Sequence, residues 1–154
     1  MQPFSINKVA MIILMQRDLD AAVAFYHDLG LQLKFRMKNR WAEFDLNGIK
    51  IGLCPASQEL PQQIRTGIVL EIDNLVETYE KNKERFTFLT APITASHGVM
   101  TSLQDPSGNI IDLYQPTPEK LNEILHKVDG VDGCCKQEAA QEQCCKKTNP
   151  NSCC

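Results

Sequence analysis

Two turns, each leading into an alternating strand, constrain the fold more than any other part of this sequence. Residues 105–109, Asp-Pro-Ser-Gly-Asn, carry proline and glycine where a tight turn requires them. The strand predicted after this turn brings the carboxylate of Asp112 onto one face of a sheet. Earlier in the chain, Asn47 and Gly48 separate two alternating runs, which is typical of a type I′ hairpin, and the matching place in the next strand holds Gly52. The two segments indicate a duplicated building block whose copies differ in chemistry at one position.

The order of predicted elements repeats along the chain. In each half, an apolar strand precedes a helix with capping residues and apolar positions at helical spacing, and extended segments follow. The extended segments are predicted at residues 9–15, 31–37, 41–46 and 49–54 in the first half, and at 66–72, 86–93, 99–104 and 109–115 in the second. Both halves therefore have the order β-α-β-β-β.

Composition limits the classes of function. With 43% hydrophobic and 23% charged residues among 154, the chain can build a packed core. A net charge of -3 and a pI near 5.6 argue against a nucleic-acid-binding protein. Residues 1–8 lack the features of a signal peptide, and no apolar run is long enough for a transmembrane segment. We therefore expect a cytoplasmic protein with reduced thiols.

A third signature accompanies the twin units and the turn at residues 105–109. It is a Phe-Tyr pair at residues 25–26, shortly before Leu-Gly at residues 29–30. Over residues 8–116 this combination resembles the vicinal oxygen chelate superfamily, which includes glyoxalase I, bleomycin-resistance proteins and extradiol dioxygenases. The resemblance implies an α+β fold in which two βαβββ modules form a cupped mixed sheet with helices on its outer face. It also implies a homodimer.

These patterns predict the domain organisation. A single domain spans residues 7–116 and consists of modules at 7–55 and 66–116. A C-terminal helix follows at residues 117–128. Residues 129–154 are polar, contain almost no large apolar residues and are expected to form a flexible, disordered tail.

The resemblance assigns four inward positions to the ligands of a divalent metal ion. In this chain they are Met11, Gly52, Gly67 and Asp112. Only Asp112 offers a ligand for Mg, Mn, Ni or Zn, each of which needs several oxygen or nitrogen ligands. The sequence therefore predicts a cup that holds no metal cofactor.

Side-chain alternation predicts which residues share the face of Asp112. The predicted ligand-binding residues combine one tryptophan with carboxylates and cations. They are Met11, Arg36, Trp41, Glu43, Lys50, Glu71, Asp112 and Tyr114. Arg36 could hold a ligand carboxylate or lie on the surface, and Asp45 could form a cross-strand ion pair with Lys50. The function predicted from these residues is binding of a small organic molecule.

An enzyme of the same superfamily is the alternative. It would be a lyase or isomerase of glyoxalase type, or a dioxygenase-like enzyme, acting without the usual metal centre. The candidate catalytic residues are Asp112, Glu43 and His97, because a pair of carboxylates can raise one pKa and histidine can act as a base near neutral pH. Each of the three also has a purely structural interpretation.

The tail carries three adjacent cysteine pairs. Six of the seven cysteines lie there, at Cys134, Cys135, Cys144, Cys145, Cys153 and Cys154. Thiolates are soft ligands, so these pairs predict binding of a metal such as Cu(I), Cd, Zn or trivalent arsenic, although their spacing is not that of a zinc finger. The double-cysteine terminus also resembles the prenylated ends of Rab-type small GTPases, which would anchor the protein to a membrane. Tail-driven metal sequestration, lipid anchoring and an unspecialised tail therefore remain alternatives.

Overall fold

The computed structural model describes residues 7–129, and the first module in it has the predicted order of elements. These elements are β1 (Met11–Gln16), α1 (Leu19–Asp28), β2 (Gln32–Met37), β3 (Trp41–Leu46) and β4 (Ile49–Pro55). The strands form a sheet in the order β1-β4-β3-β2, with β1 parallel to β4. Asn47 and Gly48 both have positive φ, 49° and 89°, as a type I′ turn requires.

The second module repeats this order with one strand divided. Its elements are β5 (Ile64–Glu71), α2 (Leu75–Asn82), β6 (Thr87–Phe88), β7 (Ile93–Thr94), β8 (Gly98–Gln104) and β9 (Asn109–Pro116), and α3 (Pro118–Asp129) follows them. The sheet order is β5-β9-β8-β6, with β7 also paired to β8 and β5 parallel to β9. Pro92 lies between β6 and β7, where it cannot donate to the sheet. The predicted α+β fold with two βαβββ modules is confirmed.

The two helices of the modules begin with different caps. Asp18 caps α1 as predicted, because its side chain accepts hydrogen bonds from the backbone of Asp20 and Ala21. In α2, Asn74 occupies the cap position but makes no side-chain cap bond. The Leu75 amide at the start of α2 donates instead to Oε1 of Gln115, at 2.8 Å.

One hydrophobic core serves both modules. The helix-facing side chains of the two sheets belong to a single cluster, which includes Leu14, Phe44, Leu53, Ile111 and Leu113. Helix α1 also contacts the second module. Because the helices cover only one face of each sheet, the opposite face of each sheet is open.

A buried carboxylate ties the two modules together. Asp105, only 3% exposed, accepts hydrogen bonds from the Gln16 side chain of β1 and from the Tyr26 hydroxyl of α1. It also accepts from the backbone amides of Ser107 and Asn109 within its own turn. The turn that identifies the second module in the sequence is thus also its attachment to the first.

The structure bears on the predicted location of the protein but not on its tail. Within residues 7–129, no helix has the length and apolarity needed to cross a membrane. The six tail cysteines lie outside the described residues.

Candidate functional site

The open faces of the two sheets carry most of the residues predicted to bind a ligand. The register places them by alternation, since paired residues point to the same side of a sheet. On the first sheet the open face comprises Met11, Ile13, Met15, Gln32, Phe35, Met37, Trp41, Glu43, Asp45, Lys50, Gly52 and Cys54. On the second it comprises Arg65, Val69, Glu71, Thr87, Ile93, Met100, Ser102, Gln104, Ile110, Asp112 and Tyr114.

Trp41 covers the centre of the first open face. A Cβ atom built on Gly52 would lie 2.4 Å from the indole Cη2 of Trp41, closer than two non-bonded carbon atoms approach each other. Beside this contact, Lys50 forms an ion pair with Glu43 at 3.1 Å. The pairing expected between Lys50 and Asp45 is wrong, although the two residues lie opposite each other in the register. The ring of Trp41 thus occupies the space that a side chain at position 52 would need.

Asp112 lies on the second open face among hydrogen-bonding neighbours. The hydroxyl of Ser102 donates to its Oδ1 at 2.5 Å, and Arg65 Nη1 lies 4.0 Å from its Oδ2. Near the end of the same strand, the Tyr114 hydroxyl donates to the backbone carbonyl of His97, and the two rings meet edge to face with centroids 5.4 Å apart. His97 is therefore in contact with the candidate site through Tyr114.

The predicted position of Arg36 is wrong. A register shift between Leu33 and Phe35 reverses the alternation of β2, so Phe35 lies opposite Glu43 on the open face. Arg36 lies opposite the buried Ala42 and forms an ion pair with Asp20 of α1. The guanidinium is thus on the helix-covered side and outside the cup, and the bulge brings Phe35 and Met37 into the cup instead.

A cleft of about 360 Å³ opens where the two modules meet. Val69 and Glu71 reach it from the open face of the second sheet, and Leu31 and Ile49 line it from the first module. Glu71 is the one charged residue of its lining. Within residues 7–129, Glu71 forms no ion pair and no side-chain hydrogen bond. The cleft thus has an apolar wall and one free carboxylate, and it shares Val69 and Glu71 with the second open face.

A family model described as the Glyoxalase/Bleomycin resistance protein/Dioxygenase superfamily matches residues 6–113. The chain belongs to this superfamily. A protein of Mycolicibacterium smegmatis is 26% identical over 112 residues, which cover 71% of this chain and 95% of that protein. The family resemblance inferred from the sequence is confirmed.

Solved structures of the superfamily show the same fold. The fosfomycin resistance protein FosX of Listeria monocytogenes has a TM-score of 0.64 and 18% identity, covering 78% of this chain and 99% of that one. TnmS3, an antibiotic binding protein from a Streptomyces species, has a TM-score of 0.60 and 24% identity, covering 75% of this chain and 100% of that one. At these identities the likeness concerns the fold alone.

The four positions assigned to metal ligands in the superfamily do not fit a hard metal ion in this chain. Met11 supplies a thioether, and Gly52 lies under Trp41. Gly67 has a φ of 73° in the irregular part of β5, where an L side chain would be strained. Asp112 is the single oxygen donor of the four, and within residues 7–129 no three His, Cys, Asp or Glu residues are grouped to hold an ion.

The three candidate catalytic residues are placed apart. Glu43 lies on the first open face and pairs with Lys50. Asp112 lies on the second and pairs with Ser102. Neither carboxylate is hydrogen-bonded to the other, so the carboxylate pair considered from the sequence does not form within the described residues. Within residues 7–129, His97 forms no hydrogen bond with either carboxylate.

Proposed function

We propose that this superfamily member binds a small organic molecule on the open sheet faces, without a metal ion at the four superfamily positions. One observation carries this proposal: the open faces expose large apolar side chains that the core does not use. They are Ile13, Met15, Phe35, Met37, Val69 and Ile93. Exposed apolar surface of this extent on a sheet face is typical of a binding site.

The indole of Trp41 supports the same proposal. It fills the space above Gly52, so this part of the cup presents an aromatic plane in place of a metal ligand. The names of TnmS3 and FosX connect two proteins of this fold with antibiotics. They make an organic ligand the natural class to test for this chain.

The test uses the full-length protein and its own fluorescence. A thermal-shift screen of organic compounds identifies ligands, and each is then titrated while the emission of Trp41, the single tryptophan of the chain, is recorded. We expect saturable changes in emission, unaffected by a chelator. Val76→Ala is the control, because this exposed residue lies on α2 and away from the open faces. A tightly held stoichiometric divalent metal that a variant with six Cys→Ser changes in the tail still retains, or no ligand in the screen, would sink the proposal.

We also propose a homodimer in which a second copy packs over the open faces and encloses the ligand. The support is the edge strand β2, whose six residues are all exposed and include Phe35 and Met37. An exposed apolar edge is a surface that folded proteins cover. Light scattering at micromolar concentration should give twice the chain mass, and a monomer at that concentration would contradict this part.

The alternative proposal, a lyase or isomerase, is tested at Asp112. Asp112 is partly exposed on the open face and could exchange a proton with a bound substrate. A turnover that disappears in Asp112→Asn, with folding intact and ligand binding retained, would favour a lyase or isomerase over a binding protein.

For the tail, we propose binding of a soft metal ion by the cysteine pairs. The support is the sequence alone, since three adjacent thiol pairs suit a soft cation. Titration with Cu(I) or arsenite should distinguish the full-length protein from a variant with six Cys→Ser changes in the tail. Equal binding by both would remove this proposal, and a mass increase from lipid in cells would favour anchoring instead.

A further inference from the structure

A hairpin turn of each module lies against the other module. At the first junction, the turn at residues 105–109 meets the end of β1, where Asp105 accepts a hydrogen bond from the Gln16 side chain at 2.8 Å. At the second junction, the turn at residues 46–49 faces the end of β5, and residues of both line the cleft of about 360 Å³. The first junction is closed by hydrogen bonds, and the second holds a cavity.

The register of the sheets shows which residues of the two junctions correspond. Gly52 of β4 pairs with Ile13 of β1. Asp112 of β9 pairs in the same way with Val69 of β5. Counting along the strands from these pairs matches three polar residues of the first junction with apolar residues of the second, namely Gln16 with Ile72, Asp105 with Leu46, and Asn109 with Ile49. The side chains that close the first junction by hydrogen bonds are therefore replaced by apolar ones at the second.

The cleft at the second junction is apolar and accessible to solvent. Among the residues that line it, Leu31 and Leu113 are buried, while Ile49 and Val69 are 49% and 51% exposed. A cavity with apolar walls offers water few hydrogen bonds, so an apolar molecule is favoured in it. Small-molecule sites have volumes of about 300–1,000 Å³, and this cleft is at the lower end of that range. It therefore suits a compact apolar group.

Glu71 and its backbone bring acceptors to this apolar cleft. Glu71 is the one charged residue among the described residues that line it. Lys50, which follows Ile49 in the chain, is already paired with Glu43. At the first junction the Met15 carbonyl accepts from the Asn109 side chain at 3.0 Å. The corresponding carbonyl is that of Glu71, and within residues 7–129 no side chain donates to it. An ammonium group has donors and no acceptor, so it matches these acceptors.

We propose that the cleft at the second junction is a further ligand site, which binds small apolar amines in their protonated form. The apolar part of the ligand lies among the leucine and isoleucine side chains of the cleft, and its ammonium group donates to the carboxylate of Glu71. Neither Trp41 nor any methionine of the described residues lines the cleft, so this site is separate from the open face of the first sheet. It does not depend on the ligand proposed for that face.

A pair of ligands with the same shape and different charge tests the role of Glu71. Phenethylamine, protonated at neutral pH, and phenethyl alcohol, which is uncharged, are titrated into nitrogen-15-labelled full-length protein at low salt, and binding is followed by NMR. We expect the amine to bind about threefold to tenfold more tightly than the alcohol, with the ratio falling as salt is added. Glu71→Gln should abolish this preference. Glu77→Gln removes the same charge from the exposed surface of α2 and should leave it unchanged.

A bulky side chain in the cleft tests the place of binding. Ile49→Trp should weaken the binding of both ligands by about tenfold, because the larger side chain takes up space that the ligand needs. Val76→Trp is the matched control, since it adds the same indole on the exposed surface of α2, outside the cleft, and should leave both affinities unchanged. In the wild type, the indole N–H signal of Trp41 should not shift when phenethylamine is added.

Four results would overturn the amine site in the cleft. They are the absence of phenethylamine binding, equal affinities for the amine and the alcohol, a preference that Glu71→Gln leaves unchanged, and binding that Ile49→Trp does not weaken. If circular dichroism shows that Ile49→Trp does not fold, the comparison of wild type with Glu71→Gln still decides. The ligand proposed for the open faces is tested separately, by its effect on the emission of Trp41, so either site can fail while the other stands.

Discussion

Replacing Asp105 with alanine removes the buried acceptor that joins the two modules. Its Oδ2 accepts from Gln16, Tyr26 and Asn109 side chains at 2.8 to 3.0 Å, and its Oδ1 accepts from two backbone amides of its own turn. A buried donor without a partner costs about 1–3 kcal/mol. A water molecule entering the vacated polar space has two lone pairs, so it can accept from about two of these five donors. With about three donors left unpaired, we expect a loss of about 3 kcal/mol or more of unfolding free energy.

Urea denaturation measures this loss, with the emission of Trp41 as the probe of folding. The matched control is Asp18→Ala, since Asp18 also accepts from two backbone amides, but at an exposed helix N-terminus. Removal of such a cap costs about 0.5–2 kcal/mol. A loss in Asp105→Ala no greater than that in Asp18→Ala would refute the claim that burial makes the Asp105 network decisive.

The isosteric variant Asp105→Asn sharpens the test. Its amide would present a donor where three donors already converge, but two of them can change role. The Tyr26 hydroxyl can rotate to accept, and Gln16 can turn its amide to present Oε1, the side-chain oxygen that is buried without a partner in the wild type. We therefore expect Asp105→Asn to lower the free energy of unfolding by about 1–3 kcal/mol, which is less than the loss expected for Asp105→Ala.

Three further predictions address other parts of the structure. Burial and the Asp105 carboxylate raise the pKa of Tyr26 above its ordinary value near 10. Since the unfolded chain then releases this proton first, wild-type stability should fall above pH 10 by up to about 1.4 kcal/mol per pH unit. Tyr26→Phe should lack that component in urea titrations, and parallel curves for both proteins would count against it. Gly52→Ala should cost about 1–3 kcal/mol and shift the emission of Trp41, because the new methyl displaces the ring; unchanged emission would be incompatible with the contact. Arg36→Ala should leave ligand affinity unchanged, because Arg36 pairs with Asp20 on α1 and lies outside the cup. It should lower the free energy of unfolding by at most about 1 kcal/mol in thermal unfolding, since the ion pair is exposed. A loss of ligand affinity would contradict this position of Arg36.

Local turn chemistry explains why the fold could be predicted from the sequence. Asn47 and Gly48 adopt the positive φ values that their hairpin needs, so the register of β3 and β4 follows from two residues. The turn at residues 105–109 similarly determines how β8 meets β9. With both hairpins placed, the alternating patterns determine which faces are buried.

The parts of the site that were missed depend on irregular backbone. The uninterrupted alternation of residues 31–37 gives no sign of the bulge after Leu33, which exchanges Arg36 for Phe35 on the open face. A second irregularity in β5, between Arg65 and Val69, carries Arg65 to the vicinity of Asp112. Glycine at position 67 is compatible with such a bulge, but pattern alone does not distinguish it from a missing metal ligand.

Gly52 and Gly67 stand at two of the superfamily's metal-ligand positions, and each opposes a ligand side chain for a different reason. At Gly52 the backbone is ordinary, but any longer side chain meets the indole of Trp41, so a histidine there needs the tryptophan to be removed as well. At Gly67 there is open space, but the φ of 73° would strain a histidine by about 1–2 kcal/mol. A single substitution at either position therefore does not rebuild the metal site. The packing at Gly52 and the backbone at Gly67 therefore both disfavour a metal-binding side chain, which supports the proposed cup whose apolar walls, and not an ion, select the ligand.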